Sequence, residues 1–230
     1  MTMDKLEQIA DEIRKVFDVR TAARDQALAQ ARQLTRACSL AIRAVHRDEA
    51  DTMQEQLNEA QQIADSLRTS LAEHPDLFHA GYTQDALKEF VEANITCALI
   101  RNERLLTPEE LVVDPSTYLN GLAEVVGELR RRALDILRHG YSTEVERLLE
   151  YMDDIYSIMV TMDYPDAITH GLRRQTDIAR GIIEKTRGDI TFSLRGEHLE
   201  QAIGSLISQL NNDQAGAGKG TGSSSSPKEE

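Results

Sequence analysis

The chain has 230 residues, of which 40% are apolar, and a formal net charge of −13 at pH 7. This length suits one large domain or two small ones, and the acidity argues against a surface that binds nucleic acid all over. No apolar run approaches the roughly 18 residues of a membrane span. The N-terminus also lacks the apolar segment of a signal peptide, so we expect a cytoplasmic protein with no membrane contact.

Positive charge is concentrated near the N-terminus. Residues 13–47 hold eight Lys and Arg against two Asp, a balance of +6, which leaves −19 for the rest. Apolar residues recurring every three or four positions predict one long helix over residues 3–47, or two nearly continuous helices. Most of its arginines lie opposite the apolar stripe, as a solvated face or an anion-binding face would. Arg20 falls inside the stripe, so either the helix breaks near residues 18–19 or Arg20 has a partner in an interior.

The remaining periodicity is also helical. We find no period-two apolar alternation, so the sequence predicts an all-α helical bundle of about seven helices in a single domain, residues 1–210. A disordered Gly/Ser-rich tail is expected over residues 211–230. The further helical segments are predicted at residues 50–72, 83–104, 107–110, 115–139, 142–162 and 167–210, the last with a possible kink at Gly188 or Gly196.

Two pairs of acidic residues stand in strongly apolar helical contexts. Glu124 and Glu128 are four residues apart, and Glu89 and Glu92 are three apart, so each pair shares a helix face. Solvated helix faces would give the same pattern. A di-iron bundle would need His three residues after a Glu, which is missing after Glu89 and Glu124. All-carboxylate ligation suits Mg²⁺ or Mn²⁺, and beside an arginine face it points to phosphodiester cleavage.

Several segments resemble the translin family, the group of translin and translin-associated factor X, and specifically its archaeal-type members. The resemblance runs over about residues 5–205. It implies a translin-like, all-helical protomer that assembles as a closed homo-octamer with RNA inside. The matching segments are Asp-Val-Arg at 18–20, residues 32–47, Leu-Lys-Glu-Phe-Val-Glu-Ala at 87–93, residues 118–129 and residues 171–174.

The resemblance also implies a metal-dependent endoribonuclease site for single-stranded RNA, with Mg²⁺ or Mn²⁺ as cofactor. Its metal and catalytic residues would be Glu89, Glu92, Glu124 and Glu128. Glu124 stands where the family usually has Asp, which keeps the charge but lengthens the side chain by one methylene. Plain translin, the inactive RNA-binding partner, does not keep all four acids. This chain keeps all four, which favours an active nuclease. The Glu at 124 instead favours the alternative, a non-catalytic translin-like protein that binds single-stranded RNA or DNA. A helical protein-interaction module is the third hypothesis.

Translin's nucleic-acid contacts include an Arg that Arg20 matches. Its histidine-rich stretch is not retained, since Phe78, His79 and Tyr82 stand in that region. We interpret His46 and Tyr82 as structural or peripheral. Most of Arg130, Arg131 and Arg132 are expected to face solvent or form ion pairs, although one of them could reach a scissile phosphate. The candidate RNA-binding residues are Arg20, Arg24, Arg32, Arg36, Arg43 and Arg47.

Overall fold

A computed structural model describes residues 2–217 of the chain and the side chains of residues 3–211. Over this range every regular element is helical, which confirms the predicted all-α fold. No helix in the described part is both long and apolar enough to cross a bilayer. The helices are α1 (Thr2–His46), α2 (Ala50–Ser70), α3 (Pro75–Phe78), α4 (Gly81–Ile100), α5 (Pro108–Leu111), α6 (Pro115–Leu137), α7 (Thr143–Thr161), α8 (Asp166–Thr169) and α9 (Leu172–Ala217).

Helix α1 is continuous from Thr2 to His46, so the predicted break near residues 18–19 is wrong. Its N-terminal part is exposed, and burial in the core begins near Ala27. The interior placement of Arg20 is also wrong for the protomer. The Arg20 side chain is 49% exposed and forms an ion pair with Asp76 of α3, a short helix that lies between the predicted segments 50–72 and 83–104.

Several helix ends differ from the prediction because of left-handed backbone positions. The segment predicted to run to residue 104 ends at Ile100, shortly before Asn102 at φ 58°. The last segment, predicted from residue 167, is divided into α8 and α9 by His170 at φ 49° and Gly171 at φ 89°. Left-handed residues end helices because their carbonyl groups leave the helical hydrogen-bond direction.

Helices α4 and α6 form the centre of the bundle and run in the same direction. Gln84 near the start of α4 accepts a hydrogen bond from Thr117 near the start of α6. One turn further along, Gly121 lies against Val91 and the carbonyl oxygen of Lys88. A Cβ at position 121 would stand 2.7 Å from the Val91 Cβ, so only Gly allows the two backbones to approach this closely.

Helix α9 extends past its predicted end at residue 210 to Ala217, without interruption at Gly188 or Gly196. Residues 211–217, predicted to belong to the tail, are therefore helical. Residues 218–230, the rest of the predicted tail, lie outside the described residues. The apolar side chains in the C-terminal part of α9 and in the N-terminal part of α1 are mostly exposed in the protomer.

Candidate metal centre

Three carboxylates meet where α4 and α6 approach each other. One oxygen from each of Glu89, Glu92 and Glu124 lies within 4.8 Å of the other two, and all three residues are half-buried. We call this group the carboxylate trio. The close packing at Gly121 explains the meeting, because parallel helices keep equivalent turns of α4 and α6 side by side over several residues.

The fourth predicted acid, Glu128, lies beside the trio with its Oε2 already engaged. This oxygen is 2.6 Å from the Nε2 of His46 and 3.4 Å from a guanidinium nitrogen of Arg131. The charge of Glu128 nevertheless contributes to raising the pKa of Glu92. The structure therefore brings three of the four predicted ligands into one group and places the fourth at its edge.

The electrostatics of the trio are those of crowded like charges. Burial, followed by the negative charges of Glu89, Glu124 and Glu128, raises the pKa of Glu92 to about 8. Burial and the charge of Glu124 also raise the pKa of Glu89. In contrast, the hydrogen bond from His46 outweighs burial and lowers the pKa of Glu128. A divalent cation would relieve this repulsion, and an all-oxygen donor set is the kind that Mg²⁺ and Mn²⁺ prefer. The residues present fit such an ion.

Lys88 is a functional candidate that the sequence did not reveal. Its Nζ lies 2.7 Å from Oε1 of Glu124, and the two side chains are only 21% and 25% exposed. Burial opposes the ionised form of Lys88, but the hydrogen bond and the charge of Glu124 raise its pKa overall. The sequence held only a weak signal, a single Lys immediately before Glu89.

His46 was interpreted as structural, but it contacts the site. Its side chain is 3% exposed at the end of α1, and its Nδ1 is buried without a hydrogen-bond partner. Arg132 holds the turn that follows, through a 3.5 Å contact to the His46 carbonyl and ion pairs to Asp48 and Glu144. The helical spacing of the acidic pairs gives no link to this His, because it comes from a different helix.

The three arginines at residues 130–132 differ in their ion-pair partners. Arg130 is paired with Asp189 at 2.8 Å and Arg132 with Asp48 at 3.1 Å. Arg131 is exposed and contacts Glu128, so it is the member of the three that faces the site.

The predicted RNA-binding arginines of α1 differ in how they are paired. Arg20 is paired with Asp76, Arg24 lies 3.1 Å from Asp25, and Arg47 lies 4.0 Å from Glu49. The other three are exposed and form no ion pair among the described residues. These unpaired arginines are Arg32, Arg36 and Arg43.

A cleft of about 590 Å³ opens one helical turn before the trio, between α4 and α6. All the residues that line it are polar or Gly, and they include Gln84, Asn120 and Gln175. Lys88 also lines this cleft, so its side chain stands between the cleft and the trio. A polar cavity of this size is large enough for part of a polar ligand.

Fold and site together define an all-helical protein whose parallel central helices hold a half-buried carboxylate group beside an arginine-bearing helix. The chain is 35% identical over 186 residues to the uncharacterised protein MJ0175 of Methanocaldococcus jannaschii, an alignment that spans 78% of this chain and 82% of that protein. No family model matches the chain.

Solved structures agree with this description. The crystal structure of AfC3PO has 32% identity and a TM-score of 0.75, covering 81% of this chain and 97% of that one. The complex of AfC3PO with duplex RNA has 32% identity and a TM-score of 0.74, covering 81% and 96%. Apo-NeC3PO, at 20% identity and a TM-score of 0.72 over 80% and 96%, shares the fold. The chain belongs to the translin family, as its sequence segments predicted.

Proposed function

We propose that this protein is a metal-dependent endoribonuclease that cleaves single-stranded RNA. The observation that carries the proposal is the carboxylate trio, three oxygens within 4.8 Å of one another in a half-buried site. Two further findings support it. Arginines without ion-pair partners lie on α1, and a similar protein, AfC3PO, has been solved in complex with duplex RNA.

The trio would hold Mg²⁺ or Mn²⁺, which when bound polarises a phosphoryl oxygen and activates water. The chain's own residues prepare the site for this substrate. Glu128 is held by His46 and stays ionised at neutral pH, so a proton acceptor lies beside the trio. The exposed guanidinium of Arg131 supplies a positive charge for a phosphate, whose oxygens it can bind in a fork.

We also propose that the protomers assemble as a closed homo-octamer that encloses RNA. Exposed apolar side chains in the protomer, on the N-terminal part of α1 and the C-terminal part of α9, support burial between copies. Placing the unpaired arginines inside and the acidic surface outside would reconcile RNA binding with the net charge of −13.

The direct test incubates the protein with a labelled single-stranded RNA and, separately, with its duplex, in Mg²⁺, Mn²⁺ or EDTA. Glu92→Gln removes the most strongly perturbed carboxylate of the trio. Glu184→Gln, which removes an exposed acid of α9 paired with Arg180, is the matched control. We expect cleavage of the single strand with metal, its loss in EDTA and in Glu92→Gln, and normal cleavage by Glu184→Gln. Cleavage that survives in Glu92→Gln or in EDTA would refute the proposed mechanism.

A second candidate, a non-catalytic protein that binds single-stranded RNA or DNA, is favoured by one observation. Glu124 replaces the usual Asp of the family, and its carboxylate is hydrogen-bonded to Lys88. RNA binding by the wild type without cleavage in either metal would select this function. In that case wild type and Glu92→Gln would bind the RNA with equal affinity.

A further inference from the structure

Lys88 occupies the position of a counter-cation within the carboxylate trio. Its Nζ is 2.7 Å from Glu124, and no other cation in the described part of the chain is hydrogen-bonded to Glu89, Glu92 or Glu124. Both members of this ion pair are largely shielded from water. Because screening is weak there, the ammonium offsets part of the repulsion among the three carboxylates.

A divalent cation that binds the trio has to compete with this ammonium. The attraction between Lys88 and Glu124 must be weakened or lost when a second, larger positive charge arrives beside the same carboxylate. Hydrogen-bonding partners of ligating carboxylates usually orient them for the metal. An ammonium also carries a positive charge, which repels a cation bound to the same carboxylate. Lys88 would therefore weaken metal binding, whereas a residue that only orients the ligands would strengthen it.

The polar cleft is the place to which a displaced Lys88 side chain would move. Lys88 already lines the polar cleft of about 590 Å³ that lies one helical turn before the trio. Its four-carbon side chain is flexible, and the ammonium is a compact charge that binds phosphate well. In the cleft it would face the part of an RNA strand that enters beside the scissile phosphate.

We propose that Lys88 is an internal counter-cation that competes with the divalent cation for Glu124, and that its ammonium, once displaced into the cleft, contacts an RNA phosphate. The inference rests on the proposed function and adds a coupling to it. Metal binding releases a positive charge for RNA, so each ligand strengthens the binding of the other.

The first experiment measures Mg²⁺ binding by isothermal titration calorimetry at pH 8.5, above the pKa of Glu92. Lys88→Met removes the charge and keeps the length, while Lys88→Arg keeps a charge. Lys15→Met is the matched control, because Lys15 also lies 2.7 Å from a Glu, but on the exposed part of α1. We expect Lys88→Met to bind Mg²⁺ about three- to tenfold more tightly than wild type, and the other two variants to resemble wild type.

Unchanged or weaker Mg²⁺ binding by a folded Lys88→Met variant would overturn the competition, since weaker binding is what a residue that merely orients Glu124 would give. Circular dichroism confirms folding, and Lys88→Arg separates charge from packing. Glu92→Gln distinguishes this failure from that of the proposed function. If wild type and Glu92→Gln bind Mg²⁺ equally, the metal site itself is wrong and Lys88 has no competitor.

The second experiment tests the phosphate contact with a fluorescent 2′-O-methyl RNA, which keeps the phosphates and has its 2′-hydroxyl groups methylated; gel electrophoresis confirms that the strand is intact after each measurement. Fluorescence anisotropy gives its affinity with and without Mg²⁺. We expect Mg²⁺ to raise the RNA affinity of wild type, and this gain to shrink at least about threefold in Lys88→Met. The same gain in both proteins would show that Lys88 does not reach the RNA.

Discussion

At the scale of single residues, the site is defined by a conflict between its charges. The pKa of Glu92 is strongly raised, because burial and three neighbouring carboxylates all disfavour its ionised form. In contrast, the hydrogen bond from the imidazole of His46 lowers the pKa of Glu128. Two glutamates of the same site therefore differ in protonation at neutral pH. Such separation of pKa values is typical of sites that bind cations or transfer protons.

The raised pKa of Glu92 makes stability depend on pH. The folded protein holds this proton up to about pH 8, whereas the unfolded chain releases it near 4.5. The metal-free protein should thus lose stability as pH rises from about 4.5 to 8, by an amount on the order of 5 kcal/mol. Denaturant unfolding in EDTA measures this slope, and Glu92→Gln should flatten it. At pH 8.5, Mg²⁺ should restore the stability of wild type but not that of Glu92→Gln. If the free energy of unfolding of Glu92→Gln depends on pH as strongly as that of wild type, another group causes the dependence.

The contact between His46 and Glu128 should be energetically coupled. A charge-assisted hydrogen bond with one partner 3% exposed is expected to contribute about 1–3 kcal/mol. The measurement is a double-mutant cycle on the free energy of unfolding at pH 7, with His46→Leu, Glu128→Gln and the combination. A cycle on the exposed pair Arg180 and Glu184 is the control, where we expect a much smaller coupling energy because water screens both charges. A coupling energy near zero for His46 would show that the contact does not orient Glu128.

The acidic partners on each helix could be predicted from the sequence, but their cross-helix partners could not. Spacings of three and four residues place Glu89 with Glu92 and Glu124 with Glu128 on common faces. Which residue of another helix meets them depends on the rotation and register of that helix, which single-helix periodicity does not contain. The contacts of His46 and Lys88 are of this second kind.

At the scale of helices, one glycine controls how closely the two acidic helices approach. Gly121 contacts backbone and side-chain atoms of α4, whereas Gly127 on the same helix has open space where a Cβ would be. The sequence predicted both glycines inside a helix and could not distinguish them, because the difference lies in the neighbouring helix. It likewise predicted helices α1 and α6 well from periodicity, but missed the left-handed residues that end α4 and separate α8 from α9.

Substituting these two glycines should have opposite effects. In Gly121→Ala the new methyl group would lie 2.8 Å from the Lys88 carbonyl oxygen, so α4 and α6 must separate, with a loss of about 1–3 kcal/mol. Gly127→Ala should instead gain about 0.5–1 kcal/mol from helix propensity. Urea unfolding compares the two variants, and Mg²⁺ titration shows whether the separation also weakens the site. Equal stability of both variants would contradict the close packing.

At the scale of the whole molecule, the charges are sorted rather than mixed. Helix α1 carries exposed arginines, while the rest of the chain accounts for the net negative charge. In α9 three exposed arginines are instead paired, Arg173 with Asp163, Arg180 with Glu184 and Arg187 with Asp153, whereas Arg174 and Arg195 form no ion pair among the described residues. Helix α1 thus offers three unpaired arginines and α9 three paired ones, and these two sets can be compared.

RNA binding should depend on the unpaired arginines of α1 and not on the paired ones of α9. Replacing Arg32, Arg36 and Arg43 with Gln should lower the slope of log affinity against log salt by about 2, since each phosphate contact on a single strand contributes about 0.7. The matched control replaces Arg173, Arg180 and Arg187 with Gln and should leave the slope unchanged. The readout is fluorescence anisotropy of a labelled 2′-O-methyl RNA over a range of KCl concentrations, in EDTA so that the metal site contributes nothing. Equal slopes for both triple variants would mean that the arginine face of α1 is merely solvated, and the RNA surface would then have to lie on another part of the protein.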